Sequence, residues 1–160
     1  MGFFDKIFRK IFQNNKRTKD RKNPEYIRNI RLATAALLVL MARADERFTE
    51  SEHQKINELL KKRFGITDQE VKDLLIECGE KLVPESRVTE TLQFIAENFF
   101  FDEKYDLMKN LYILMLADSD LSVLEVKLFD KIASALSINK LAKETIIKDV
   151  EKEESRLDFF

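Results

Sequence analysis

Tryptophan is absent from this chain of 160 residues, glycine occurs three times, proline twice, and cysteine and histidine once each. Each scarcity excludes something. The lone Cys78 rules out a disulfide framework, and with His53 as the one histidine no His or Cys cluster exists for a zinc or haem site. So few glycines and prolines leave a many-stranded sheet without turn residues, whereas abundant Leu, Ile, Lys and Glu favour long helices. The longest nearly apolar run, ATAALLVLMA at 33–42, is about half of the ~20 residues that span a bilayer, so it reads as a core helix. No long apolar segment with a small-residue cleavage site opens the chain, and a cytoplasmic location is expected by default. A Gly-rich phosphate loop, a nucleophile motif and a second histidine are all missing, so a non-enzyme is expected.

What is present begins with an uneven charge. Residues 1–22 hold eight Lys or Arg against Asp5 and Asp20, a surplus of six, which leaves residues 23–160 with twenty basic and twenty-seven acidic side chains. A basic segment, 1–22, therefore precedes an acidic domain, 23–160. Within MGFFDKIFRKIFQ, residues Phe3, Phe4, Ile7, Phe8, Ile11 and Phe12 share one helical face, with Asp5, Lys6, Arg9 and Lys10 opposite. An aromatic face opposite a basic one, followed by NNKRTKDRK, fits a helix lying at an anionic membrane surface. Two alternatives stand beside it. The helix could fold back and pack its phenylalanines on the domain, or the basic run could meet nucleic acid, although aromatics on a helical stripe are unlike a strand-binding groove. Lys6 occupies the position where myristoylation requires Ser or Thr.

Cap signals divide the remainder into seven helices. Asn23-Pro24 opens the first, which runs to about Ala44. Thr49 with Glu52 forms a capping box, with Phe48 in the staple position, and starts the second, to about Phe64. Thr67 with Glu70 begins the third, which carries Val71, Leu74, Leu75 and Cys78 and ends near Gly79; Cys78 reads as a small packed hydrophobe. Pro84 breaks the chain, and a fourth helix starts at Ser86 or a neighbour and ends near Asn98. FFFD at 99–102 reads as a connection in which Asp102 caps the fifth helix, to Ala117. Ser122 with Glu125, and Leu121 with Val126 as a staple pair, start the sixth, to about Leu136, and Asn139 caps the seventh.

The same pattern occurs twice. LMARADERFTESEHQKI at 40–56 returns as ILMLADSDLSVLEVKLF at 113–129, with Leu40, Ala44, Asp45, Thr49, Glu52 and Ile56 falling on Ile113, Ala117, Asp118, Ser122, Glu125 and Phe129. Helices one to three thus answer helices five to seven, and GIT at 65–67 answers SIN at 137–139. Neither unit can bury a core alone, so a single all-α bundle of about seven helices, built from two pseudo-symmetric repeats, is expected after the N-terminal amphipathic helix.

The repeated acids have two readings. Two Asp and two Glu brought together across a pseudo-two-fold axis would suit a hard divalent cation of the Ca²⁺ or Mg²⁺ class, which prefers oxygen ligands. Alternatively, each Asp receives a turn and each Glu closes a capping box. DSDLSVLE begins like a calcium loop, but the twelfth position is Phe129 in one copy and Ile56 in the other, so neither is an EF-hand. Asp120 and Glu50 could supplement a site, and His53 reads as packed or half-exposed.

AALLVLMARADERFTESE at 35–52 and FIAENFFFDEKYDLMKNLYILMLADSDLSVLE at 94–125 carry a resemblance to the TerB-like tellurite-resistance family of small bacterial helical proteins, over roughly residues 30–140. The resemblance implies an all-helical domain linked to tellurite and other chemical stress and to phage or membrane-associated stress systems, with acids that bind divalent metal. Asp45, Glu52, Asp118 and Glu125 would be those acids. The chain departs from the family pattern after each Asp, where Glu46 and Ser119 replace a common glycine. The functional expectation is a cytoplasmic stress-response module holding a divalent cation through these four residues. Peripheral contact with the inner face of the membrane through residues 1–22 and a protein partner are expected with it. The rival is a metal-free interaction adaptor whose repeated acids are caps.

Overall fold

A computed structural model describes residues 22–44, 49–78, 85–117 and 121–157. Among them are seven helices and no strand: α1 (Pro24–Ala42), α2 (Glu50–Phe64), α3 (Asp68–Cys78), α4 (Glu85–Asn98), α5 (Phe101–Leu116), α6 (Val123–Ala135) and α7 (Lys140–Leu157). The all-α expectation holds. The N-terminal segment 1–21 lies outside the described residues.

The centre of the bundle is α1, packed against α2, α3, α5 and α6. Every residue from Leu32 to Val39 is buried, which explains why ATAALLVLMA is apolar on all sides: the helix has neighbours on every face. Other helices bury a single stripe. On α4 it is Val88, Leu92 and Ile95; on α6, Phe129, Ile132 and Ala133; on α7, Ile146 and Val150. Second to α1 in centrality is α5, whose Leu107, Met108, Leu111, Leu114 and Met115 are almost wholly buried and which meets α1, α2, α6 and α7.

One helix start differs from expectation. Asp102 is exposed in the first turn of α5 and does not cap it. Phe100 takes the extended N-cap conformation, and Glu103 reaches back to accept the Phe100 amide at 3.0 Å. The helix begins early because Phe99 and Glu103 are both drawn into the interior, Phe99 as core and Glu103 as acceptor of the Tyr26 hydroxyl. Leu121 and Val126, the expected staple pair of α6, both remain exposed.

The two halves make matching local bonds. At the end of α1 the Ala44 amide donates to Met41 at 3.2 Å, and at the end of α5 the Ala117 amide donates to Leu114 at 3.1 Å. Gly65 and Ser137 then end α2 and α6 in the left-handed region, with φ of 62° and 59°. Gly65 donates to Lys61, whereas after α6 Ser137 and Ile138 donate to Ser134 and Ala133 in a Schellman arrangement. Ile66 and Ile138 follow, both buried. Thr67 and Asn139 cap the next helices, accepting the amides of Glu70 at 3.2 Å and Ala142 at 2.8 Å.

Tyr26, in the first turn of α1, donates to Glu103 Oε1 in the first turn of α5 at 2.7 Å. The two central helices therefore start at the same end of the bundle. At the other end a groove of about 230 Å³ is lined by Ser51, Gln54 and Lys55 of α2 together with Leu116 and Ala117. Hence the first turns of α2 lie against the last turn of α5.

Candidate functional site

That second end is where the repeated acids belong. The chain leaves α1 through Ala44 and enters α2 at Thr49; it leaves α5 through Ala117 and enters α6 at Ser122. Because the start of α2 lies against the end of α5, both junctions occupy one end of the bundle. Glu52 and Glu125 stand in the first turns of α2 and α6. Asp45 and Asp118, the other two expected ligands, lie outside the described residues, as do Phe48, Ser119 and Asp120.

Glu52 completes a reciprocal capping box. Its Oε1 accepts the Thr49 amide at 3.3 Å and the Thr49 hydroxyl at 3.1 Å, and its own amide donates to Thr49 Oγ1 at 3.2 Å. The Ser122 half of the second box is also in place, with the Glu125 amide donating to Ser122 Oγ at 3.0 Å. Cap residues at these positions are thus legible in structure as in sequence.

Burial separates these glutamates from an ordinary cap. Thr67 and Glu70 form a box at the same three distances, 3.3, 3.1 and 3.2 Å, and Glu70 is exposed. Glu52 and Glu125 are each only 2% exposed. Capping does not require burial, as Glu70 demonstrates, and removing a carboxylate from water is costly unless charge or hydrogen bonds compensate it. All of the expected donors are carboxylates, which suits a hard cation over a soft one. Among the described residues no three His, Cys, Asp or Glu side chains are gathered closely enough to hold a metal. His53 is half-buried beside Glu52 in sequence.

A third buried acid escaped the sequence reading. Glu103, 8% exposed, holds the Tyr26 hydroxyl and the Phe100 amide at the opposite end of the bundle. The signal was an acid three residues after Phe100, but Phe100 is not the Ser, Thr, Asp or Asn that would mark a box at that spacing. Cys78 is packed as expected: 2% exposed, its thiol 3.4 Å from the Leu32 carbonyl and pushed up to about 12 by burial. No described helix is long and apolar enough to cross a membrane.

A family model described as tellurite resistance protein TerB matches residues 31–146, from the middle of α1 into α7. No curated protein and no solved structure matches the chain.

Proposed function

As this chain belongs to the TerB family, a helical module of the tellurite-resistance type, we propose that it is a non-enzymatic stress-response protein that holds a divalent cation at the end of the bundle where α2 and α6 begin. Glu52 and Glu125 would supply two ligands, and Asp45 and Asp118, each directly following a helix end, the other two. The observation that carries this reading is the burial of Glu52 and Glu125 to 2% exposure when Glu70 performs the same capping while exposed. The cation would be of the Ca²⁺ or Mg²⁺ class, since every donor is oxygen.

The test is a thermal melt of the metal-stripped full chain titrated with Ca²⁺, Mg²⁺, Mn²⁺ and Zn²⁺, beside Glu52→Gln, Glu125→Gln and Asp45→Asn, Asp118→Asn double variants. Glutamine serves at the third helical position as glutamate does, so the first variant keeps the caps and removes only charge. A ligand at 100 times its dissociation constant adds about 2.7 kcal/mol, several degrees in a domain of this size. A rise in wild type that disappears in both variants supports the site. No rise with any ion leaves the acids as caps and favours the rival, a metal-free adaptor, for which the Thr49 and Ser122 bonds are the supporting observation.

The second part of the proposal concerns residues 1–22, which we assign to peripheral contact with an anionic membrane surface through the Phe3, Phe4, Ile7, Phe8, Ile11 and Phe12 stripe and the surrounding lysines and arginines. Binding to phosphatidylglycerol vesicles should weaken in high salt and be lost in Phe4→Ser, Phe8→Ser. Equal binding to neutral vesicles, or none to either, removes it.

A further inference from the structure

The first turn of α6 and the residue before its cap bear a cluster of uncovered aliphatic side chains: Leu121 is 46% exposed, Val123 69%, Leu124 54% and Val126 40%. The fold does not ask for them. In the first repeat the positions answering Val123, Leu124 and Val126 are Glu50, Ser51 and His53, and they open an equally well-capped helix. At these three positions the apolar character belongs to the second copy, and aliphatics left in water together mark a contact site.

The chain contains a segment suited to cover them. In residues 1–13 six phenylalanines and isoleucines recur at the spacing of one helical face, and residues 1–22 bear a surplus of six positive charges. At the end of the bundle that carries the patch, Glu50 opens α2, and Glu58 and Glu154 line the groove beside Ala117 together with Lys55, which pairs with Glu58 at 3.5 Å. Reach is also sufficient. Tyr26 joins the start of α1 to the start of α5, so the patch lies about one length of α5 away, 16 residues or roughly 24 Å. The nine residues 14–22 extend to roughly 30 Å.

We propose that residues 1–13 dock as an amphipathic helix on the Leu121, Val123, Leu124 and Val126 surface of the same chain. This rests on the amphipathic reading of residues 1–22 used for the membrane proposal, and not on the cation. One phenylalanine stripe cannot face α6 and lipid together, so docking and membrane contact compete: the docked chain is the soluble state, and an anionic surface draws the segment away.

The full chain is tested with a nitroxide on Gln13→Cys, the buried Cys78 thiol remaining unlabelled. The expected result is selective broadening of the Val123, Leu124 and Val126 amide resonances, relieved in Val123→Asp, Leu124→Asp. Those substitutions add acids to the first turn of a helix, where the dipole favours them, and a melt confirms that the fold is kept. Phosphatidylglycerol vesicles should relieve the broadening as well. No broadening on α6, broadening unchanged by the aspartates, or broadening that passes only between labelled and unlabelled copies in a mixture would overturn the proposal. Vesicle binding without α6 broadening would leave the membrane reading intact and remove the docking; α6 broadening without vesicle binding would do the reverse.

Discussion

Tyr26 and Glu103, separated by 77 positions in the chain, meet through a buried hydrogen bond of 2.7 Å. It ties the beginnings of the two central helices together, and the common direction that results brings both acid-bearing junctions to the far end.

Replacing Tyr26 by Phe removes that donor and leaves Glu103, 8% exposed, with the Phe100 amide as its remaining described hydrogen bond. The expected loss is about 2 kcal/mol, as befits a buried hydrogen bond to a carboxylate. Tyr105→Phe is the control. Its partner Asp149, only half-buried, can turn to water, so the cost should stay below about 1 kcal/mol. Urea unfolding of the two variants decides; equal losses would mean that the Tyr26 bond has no special weight.

Gly65 and Ser137 should respond to substitution with opposite sign. Gly65 sits at φ 62° with nothing within 4 Å of an added Cβ, so Gly65→Ala tests backbone strain without a clash and should destabilise by about 1 kcal/mol. Ser137, at φ 59°, already bears that strain, and Ser137→Gly should stabilise by roughly 0.5 kcal/mol, the added freedom of the unfolded chain offsetting part of the relief. Denaturation midpoints moving in the same direction would contradict this account.

Above pH 10 the contact between α5 and α7 should weaken. Tyr105 donates to Asp149 at 2.7 Å and Tyr112 to Glu151 at 3.1 Å. Partial burial, and then the Asp149 carboxylate, push Tyr105 from 10.0 up to about 12, and burial followed by Glu151 raises Tyr112. A folded value above the unfolded one means stability that is complete below pH 10 and lost as pH rises towards 12. The Tyr105→Phe variant should show a shallower alkaline loss than wild type; parallel curves would remove Tyr105 from the explanation.

Cys78 should behave as core and not as a reactive thiol. At 2% exposure and with its thiol pushed up to about 12, it presents almost no thiolate at pH 8. Labelling by a disulfide reagent is therefore expected only through unfolding, with a rate that follows denaturant, whereas rapid labelling of the native chain would place the thiol at the surface.

The helix caps were readable because they are short-range chemistry. Thr49, Thr67, Ser122 and Asn139 each bond an amide within three positions, so a hydroxyl or amide side chain ahead of an apolar stripe was a sufficient signal. Asp102 misled for the same reason: its side chain suits a cap, but burial of Phe99 and Glu103, decided by distant neighbours, moved the helix start past it. The burial of Glu52 and the exposure of Glu70 could not be told apart in sequence, since the two boxes use the same residues at the same spacing.

The amino-acid sequence by itself determined the helical class, the seven helices among the described residues and most of their caps, because each depends on local propensity and periodicity. Tertiary structure alone decided which equivalent residues differ in environment. It buried Glu52 and Glu125 and left Glu70 in water, and it exposed Leu121 and Val126, which the sequence pattern pairs as a staple. The reason is that exposure is set by what packs against a helix face, and the faces of α2 and α6 acquire their neighbours only when α1 and α5 align.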